Sequence, residues 1–359
     1  MDPLDRPGPV RPGEDLPVEV LARYLQSHLP GVDGPLSVAQ FPHGYSNRTY
    51  LLRMGGRELV LRRPPPGVAE RSAHDMGREY RVLSGLAQVY DKVPRPLHYC
   101  ADPEVIGAPF YVMERVQGLV LRAEAPSPVP LSPDLMARLS RSTVDNLARI
   151  HRLDYQAAGL GDLGRPTGYV ARQIQGWTRR YRAVQTEELP GLEDALAWLA
   201  REMPPETDAA LIHNDYKYDN LVLNPADPAR ILAVLDWEMC TVGDPLMDLG
   251  TTLAYWTEPG DPEPLVALFG LTALPGNLDR QQLVERYGEQ SDRPIPAPFF
   301  YYIYGLVKVA VILQQLYHRY RQGLADEARY GRLNEAVRSC SQMLIWAFDK
   351  GRIHRLSAG

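Results

Sequence analysis

The sequence predicts an α+β fold with a small, strand-rich part that carries one main helix and a larger, mainly helical part. Short runs of alternating apolar residues are concentrated between positions 36 and 116. Beyond position 117 the apolar residues recur with a helical period, and only two short apolar runs interrupt them. This order excludes a regular βαβ repeat, and 359 residues suffice for about two such parts.

The composition is that of a globular protein, with 45% hydrophobic and 23% charged residues. A net charge of -5 argues against a general role in coating nucleic acid or an anionic membrane. The three cysteines are far apart in the sequence, and this spacing fits neither a disulfide framework nor a close-spaced zinc site. The longest apolar stretch, 299–313, is shorter than the roughly 20 residues that span a bilayer. We therefore expect a cytoplasmic protein without a nucleic-acid or membrane partner.

The first predicted unit is residues 1–35, in which a flexible lead of about 15 residues precedes a short helix from Val18 to Leu29. The second unit, residues 36–116, carries alternating runs that predict strands, with one helix at about 73–87 between them. The predicted strands are 38–41, 49–53, 58–62 and 110–113.

The third predicted unit, residues 117–359, is mainly helical. Two short strands, 220–223 and 231–235, are expected to form a hairpin between its helices. The predicted helices are 133–153, 168–184, 192–203, 279–287, 299–321 and 328–349. Pro245 suits a first helical position, so Asp244 is expected to cap a further helix.

The most informative stretch is a polar loop before the first of those two strands. It contains His213, Asp215, Lys217 and Asn220, and Asp236 follows the second strand. Carboxylate and amide oxygens suit Mg²⁺, which binds through one or two carboxylates together with substrate phosphates. An Asp five residues before the Asn can accept a hydroxyl proton while the Asn and second Asp hold metal, as phosphoryl transfer requires. An ordinary turn rich in Asp and Asn is the alternative interpretation.

The order His-x-Asp-x-x-x-x-Asn, a hydrophobic strand and Asp-Trp-Glu resembles the aminoglycoside phosphotransferase and choline kinase-like family, which has the bilobal protein kinase-like fold. The resemblance covers about residues 36–350, and is strongest to the phosphotransferase domains of acyl-CoA dehydrogenase fusion proteins. It implies an ATP-dependent, Mg²⁺-dependent kinase that phosphorylates a small-molecule hydroxyl.

Within this resemblance, Asp215 is the expected catalytic base or nucleophile-orienting carboxylate. Lys217 would neutralise charge on the transferring phosphoryl group. His213 belongs to the same catalytic set, where its expected role is to brace the loop by hydrogen bonding. Asn220 and Asp236 would be the Mg²⁺ ligands.

The strand-rich part would supply the nucleotide-binding residues. Arg62 lies where the family has a lysine, Glu79 where the ion-pair partner of that lysine is expected, and Val60 would cover the adenine. Period-two alternation places Val60 and Arg62 on one face of their strand. Arg63 is the alternative for the phosphate contact, because an arginine does not simply replace a lysine.

Two further segments complete the expected nucleotide site. The turn at residues 43–50 would cover the phosphates with backbone N–H groups, the Ser46 hydroxyl and the Asn47 amide. A plain hairpin turn is the alternative there. Met113 would lie against the base, with the backbone of Glu114 and Val116 at the adenine edge of the hinge.

The acceptor is less constrained by the sequence. A dedicated aminoglycoside kinase should present carboxylates to its polycationic substrate, whereas residues 251–359 carry 11 acidic against 12 basic side chains. This balance favours another acceptor, and the resemblance suggests a hydroxyacyl-CoA-type metabolite. An antibiotic kinase and a non-catalytic nucleotide-binding pseudokinase are the remaining alternatives. A protein kinase is disfavoured, because Asp244 follows Asp236 by only eight positions, which is too few for an activation segment.

Overall fold

A computed structural model describes residues 7–42, 47–65, 75–123, 125–323 and 328–357. It confirms the α+β class, with a five-stranded antiparallel sheet in the first part and a mainly helical second part. We call these parts the N-lobe and the C-lobe.

The N-lobe sheet has the strand order β1-β2-β3-β5-β4, and every neighbouring pair is antiparallel. One strand, β4, was not predicted, because its half-buried residues around His98 lack an apolar alternation. The bounds are β1 Ser37–Gln40, β2 Arg48–Met54, β3 Arg57–Arg63, β4 Pro96–Cys100 and β5 Phe110–Glu114, with helices α1 Val18–His28 and α2 Met76–Leu86.

The alternation along β3 sorts its side chains onto two faces, as predicted. Leu59 and Leu61 pack with α1 in a cluster on the outer face. Val60 belongs instead to the large core that continues into the C-lobe, opposite Met113 on β5. The inner face of the sheet is therefore the roof of the space between the lobes.

The segment before α1 is not a flexible lead over its described residues 7–15. Gly8 forms a β-bridge with Gln40, and the Glu14 carboxylate forms an ion pair with Arg48 at 2.6 Å. The Tyr50 hydroxyl also donates to the Glu14 carbonyl at 2.8 Å. Tertiary contacts thus fix a segment whose prolines and acidic residues suggested a free tail.

The C-lobe is built on helices, with two small hairpin-like sheets at the side that faces the N-lobe. Strands β6 and β9 pair, as do β7 and β8. The helices are α3 Pro133–His151, α4 Tyr169–Val184, α5 Pro190–Arg201, α6 Pro245–Tyr255, α7 Glu263–Phe269, α8 Arg280–Ser291, α9 Pro298–Arg321 and α10 Leu333–Lys350; the strands are β6 Ala210–Ile212, β7 Leu221–Leu223, β8 Ile231–Val234 and β9 Thr241–Gly243.

Helix α9 is the central helix of the C-lobe. Its 24 residues are long and apolar enough to cross a membrane by length and composition, but 78% of the apolar window is buried inside the fold. Among the described helices it is the only one that meets that test. Burial against α6 and α10 accounts for its apolar character.

Helices α6 and α9 cross with their backbones in direct contact. A Cβ atom on Gly250 would lie 2.0 Å from the Tyr301 carbonyl oxygen, and one on Gly305 would lie 1.9 Å from the Gly250 oxygen. Only glycine permits this approach. The crossing brings Asp248 of α6 and Lys308 of α9 underneath the polar loop.

Candidate active site

The polar loop, residues 213–220, begins after β6 and ends at β7. Lys217 Nζ lies 2.8 and 2.7 Å from the two carboxylate oxygens of Asp215. The Asn220 amide nitrogen donates to the Asp215 backbone carbonyl at 2.8 Å and to its carboxylate at 2.9 Å. Three of the side chains predicted to act together therefore do lie together.

The Asp215 carboxylate is kept ionised by its neighbours. Burial alone would raise its pKa, but the Lys217 ammonium and the Tyr255 hydroxyl hold the pKa below its usual value. Burial would likewise lower the pKa of Lys217, and the Asp215 charge reverses this and raises it. The pair is thus a charged acceptor and donor at neutral pH.

His213 uses both ring nitrogens inside the loop. Its Nε2 lies 2.9 Å from the Leu235 carbonyl, and its Nδ1 accepts from the Asp215 backbone N–H at 3.2 Å. Burial lowers the pKa of the imidazole, so the ring is neutral. These contacts hold the His213 ring within the polar loop.

Two aspartates at the start of α6 have different contacts, and only Asp248 bonds the polar loop. Asp244 caps the helix by accepting from the Leu246 N–H, with Pro245 in the first turn, as predicted. Asp248 is fully buried and accepts from the backbone N–H groups of His213 and Asn214 at 2.7 and 2.8 Å. Its carboxylate also lies 3.1 Å from His151 Nε2.

The hairpin of β7 and β8 brings Asn220 and Asp236 together. The Leu235 N–H donates to the Asn220 carbonyl at 2.8 Å, so Asp236 follows directly beside the polar loop. Asp236 has a left-handed backbone, with φ 66°. Because the Asn220 amide nitrogen is used by Asp215, its Oδ1 is the group left to bind a cation. Two oxygen donors on this side fit Mg²⁺, which takes its other ligands from phosphates and water.

Arg62 connects the lobes through what we call the guanidinium cluster: Arg62, Glu79, Asp236 and Glu238. Arg62 Nη1 lies 3.0 Å from Glu79, and Nη2 lies 2.9 Å from Asp236 and 3.4 Å from Glu238. Arg62 thus meets Glu79 as the sequence suggested. Arg63 points elsewhere, because its Nη1 donates to the Ile106 carbonyl at 2.8 Å.

Glu238 is a member of this cluster that sequence reasoning missed, although it belongs to the Asp-Trp-Glu motif. It accepts from the Asn47 amide at 2.7 Å, which ties β2 to the C-lobe. Arg78 of α2 reinforces the same link by donating to the Glu238 carbonyl at 3.0 Å. Ser46, predicted beside Asn47, lies outside the described residues. A carboxylate two residues after the Asp that is expected to bind Mg²⁺ was the available signal.

The predicted hinge lies at the end of β5. Val60 and Met113 face each other across β3 and β5, and both are nearly buried on the inner face. The Glu114 N–H donates to the Arg95 carbonyl, so a ligand contact at Glu114 is left to its carbonyl. Val116 is three residues before Leu119, which pairs with Leu223 of the C-lobe. This pairing anchors the connection between the lobes.

A small cleft opens beside Lys217. It contains about 290 Å³ of empty space that is continuous with solvent. Asp219 is its only carboxylate, and Lys217 Nζ lies 4.8 Å from the centre of the Tyr255 ring. The lining residues are Tyr216, Lys217, Tyr218, Asp219, Thr252, Tyr255, Trp256, Phe269, Leu271 and Thr272. The sequence analysis did not assign the aromatic residues of this wall to a site.

Comparison with known proteins places this arrangement in context. The sequence pattern of the phosphotransferase enzyme family matches residues 37–281. The chain is 35% identical to mouse acyl-CoA dehydrogenase family member 10 over 95% of its own length, and 37% identical to chicken acyl-CoA dehydrogenase family member 11 over 85%. It spans only 32% and 40% of the length of these relatives.

Solved structures show the same architecture. A crystal structure from Ralstonia eutropha, assigned to the aminoglycoside phosphotransferases, is 34% identical with a TM-score of 0.79; the match covers 94% of this chain and 99% of that one. A thermostable mutant of aminoglycoside phosphotransferase APH(4)-Ia, in ternary complex with AMP-PNP and hygromycin B, is 18% identical with a TM-score of 0.54. That match covers 89% of this chain and 98% of the other, and shows the fold alone.

Proposed function

Because this chain belongs to the phosphotransferase enzyme family, we propose that it transfers the γ-phosphoryl group of ATP to a hydroxyl of a small molecule, of the hydroxyacyl-CoA type. The observation that carries the proposal is the convergence of Asp215, Lys217 and Asn220 in one loop, with Asp236 beside it.

In this proposal Asp215 accepts the hydrogen bond of the acceptor hydroxyl and takes its proton as phosphoryl transfer proceeds. Its low pKa suits an orienting carboxylate, because a loose transition state needs positioning more than a strong base. Lys217 supplies positive charge next to the transferring group.

Asn220 and Asp236 would hold Mg²⁺, which when bound neutralises charge on the β- and γ-phosphates. Arg62, anchored by Glu79, contributes a second positive charge from the roof of the cleft. The binding of AMP-PNP by APH(4)-Ia, a protein of the same fold, supports ATP as the donor.

The cleft beside Lys217 argues against a polycationic acceptor. Asp219 is the single carboxylate among its described lining residues, whereas five aromatic side chains form its walls. Nearby Glu258 and Asp261 are buried and paired with Arg280, so they do not face a substrate. These features favour an acceptor with an apolar portion, which a hydroxyacyl group has. The similarity to acyl-CoA dehydrogenase fusion relatives supports the same class.

A direct test incubates the purified chain with Mg·ATP and a series of 4-hydroxyacyl-CoAs. We expect a product heavier by one phosphoryl group in mass spectrometry, together with stoichiometric ADP. Asp215→Asn is the matched control, since it keeps the shape of the side chain and should form no product.

The outcomes separate the alternatives. Phosphorylation of aminoglycosides and not of hydroxyacyl-CoAs would support an antibiotic kinase. Thermal stabilisation by Mg·ATP without turnover on a broad panel of metabolites labelled from γ-labelled ATP would support a non-catalytic nucleotide-binding protein.

A further inference from the structure

Lys308 of α9 is a buried cation for which the proposed chemistry has no use. Its side chain is 1% exposed, and its Nζ donates to the Asn214 carbonyl at 2.8 Å, to Asn214 Oδ1 at 3.1 Å and to Thr251 Oγ1 at 3.2 Å. The Thr251 hydroxyl gives its own proton to the Met247 carbonyl, so its oxygen is an acceptor here. An ammonium group has three N–H donors, whereas a neutral amine has two. Only charged Lys308 satisfies all three acceptors.

The residue that Lys308 holds comes immediately before Asp215. Asn214 has a left-handed backbone, with φ 68°, a conformation that residues other than glycine adopt only when their surroundings enforce it. The backbone N–H of Asn214 donates to the Asp248 carboxylate, and its side-chain nitrogen donates to the Met239 carbonyl at 3.1 Å. Lys308 Nζ donates to the two remaining oxygens of Asn214, its backbone carbonyl and its Oδ1. Every polar group of Asn214 is therefore held.

The crossing of α6 and α9 explains how Lys308 reaches this place. Gly250 and Gly305 allow the two backbones to touch. Thr251 directly follows the first glycine, and Lys308 lies one turn beyond the second. The crossing thus delivers both groups to the underside of the polar loop.

We propose that Lys308 is a positioning residue for phosphoryl transfer: its ammonium holds Asn214 in the left-handed conformation that directs Asp215 towards the acceptor, and turnover falls when this ammonium loses its proton. This inference rests on the proposed function for its effect on turnover, but not for the state of the lysine itself.

The charges around Lys308 oppose one another. Burial lowers the pKa of Lys308 to about 8. The carboxylates of Asp248 on α6 and Asp215 in the polar loop oppose this decrease, because they favour the charged form. Lys217 of the polar loop and Arg180 of α4 disfavour it. The Trp177 ring of α4, 6.0 Å from Nζ, adds no titrating group. The ammonium is therefore the main form below about pH 8 and is lost as the pH rises through and above this value.

The kinetic test compares wild type with Lys308→Met, using Mg·ATP and 4-hydroxyacyl-CoA between pH 6 and 10. We expect wild-type kcat to decline above about pH 8. Lys308→Met should have a kcat about tenfold to a hundredfold lower, the range for a misplaced catalytic group, and no such decline. Affinity for Mg·AMP-PNP should stay within about twofold, since nucleotide contacts are not moved. Lys350→Met, which removes a lysine at the end of α10, should match wild type.

A variant that keeps the alkaline decline, or that raises KM at unchanged kcat, would overturn the proposal. If Lys308→Met does not fold, Thr251→Val serves instead, because it removes one acceptor and keeps the lysine. It should move the kcat midpoint to lower pH, and an unmoved midpoint would count against the proposal.

A second measurement does not depend on turnover. The chain has only four lysines, so ¹³C labelling of the lysine ε-carbon yields four resolvable signals. The signal absent from Lys308→Met should titrate near pH 8 in wild type and lower in Thr251→Val. Titration at the ordinary lysine value near 10.5 would reject the proposal even in an active enzyme. If no acceptor is phosphorylated while this signal titrates near pH 8, the proposed function fails and the ammonium's role in holding Asn214 stands.

Discussion

The polar loop and the guanidinium cluster lie next to each other at Asp236, and they are held in different ways. Buried groups from three elements hold the loop: Asp248 on α6, Lys308 on α9 and the carbonyl of Leu235 after β8. The cluster depends on a single guanidinium that reaches from β3 to α2 and to the C-lobe. The loop is thus preorganised by one lobe, whereas the cluster exists only when both lobes are in place.

The difference shows which properties each region can control. A preorganised loop provides positioned groups for the chemical step, which costs no rearrangement at the moment of reaction. A cluster formed across two lobes depends on their separation, and under the proposed function it should therefore respond to a nucleotide bound between them. We expect mutations in the loop to act on kcat and mutations in the cluster to act on ATP affinity.

The largest effect should come from Asp215→Asn. Removing the carboxylate should lower kcat by about 10³-fold, equivalent to about 4 kcal/mol of transition-state stabilisation. The Kd of Mg·ATP, measured by calorimetry, should remain within about threefold. Retained turnover would remove Asp215 from its role and would break the contrast between the two regions.

The next largest effect tests the support beneath the loop. Gly250→Ala should lower the free energy of unfolding by about 3 kcal/mol, because its Cβ would lie 2.0 Å from the Tyr301 oxygen. Urea denaturation measures this. Gly288→Ala in α8 is the matched control, since its Cβ would meet only Ile295 Cδ1 at 3.5 Å. The control should be neutral or more stable by up to about 1 kcal/mol. Equal effects of the two changes would show that the crossing is not closely packed.

Mutations in the guanidinium cluster should have a smaller effect, and this effect should be on the affinity for Mg·ATP. Arg62→Met should raise the Kd of Mg·ATP about tenfold to thirtyfold, as expected for the loss of hydrogen bonds between charged groups. Arg62→Lys should raise it only about threefold to fivefold, because one ammonium cannot reach Glu79 and Asp236 as a planar guanidinium does. A drop in kcat at unchanged Kd would show that Arg62 acts in the chemical step, contrary to the comparison.

The smallest effect concerns pH. Burial raises the pKa of Glu79 to about 7, with the Arg62 charge opposing and the Asp236 charge adding to the rise. Glu79 is therefore charged above about pH 7 and takes up a proton as the pH falls below it, so its pairing with Arg62 weakens on the acid side. We expect affinity for Mg·AMP-PNP to fall a few-fold between pH 8 and pH 6.

Glu79→Gln provides the control for this pH effect. It should bind the nucleotide more weakly at pH 8 and show a flatter profile, because it lacks the titrating group. A profile that keeps the wild-type slope would assign the pH dependence to the nucleotide phosphates or to another residue.

Much of the polar loop could be predicted because its residues are close in sequence. Asp215, Lys217 and Asn220 lie within six positions, and the two strands that follow form a hairpin that returns Asp236 to them. Residues that are this close in sequence are also close in the structure, so their grouping can be predicted from their spacing.

The guanidinium cluster was only half predictable for the converse reason. Arg62 and Glu79 followed from the strand and helix pattern, but Glu238 lies 176 residues from Arg62, and its contact depends on how the lobes dock. Lys308 gave no sequence signal at all, since a single lysine in an apolar helix indicates neither its depth nor its partners. The half-buried β4 and the pairing of Gly8 with Gln40 were missed because neither segment has a strand pattern of its own. Each forms a regular pairing only because a partner strand lies beside it.

The sequence by itself determined the fold class, most of the order of strands and helices, and the oxygen and ammonium groups of the polar loop. These depend on local periodicity and short spacing, which are properties of the chain alone. Only the tertiary structure decided that Arg62 and not Arg63 faces Asp236, that Glu238 joins them, and that Lys308 lies under Asn214. Those contacts arise from the docking of the lobes and the close crossing of α6 and α9, where packing determines which distant groups meet.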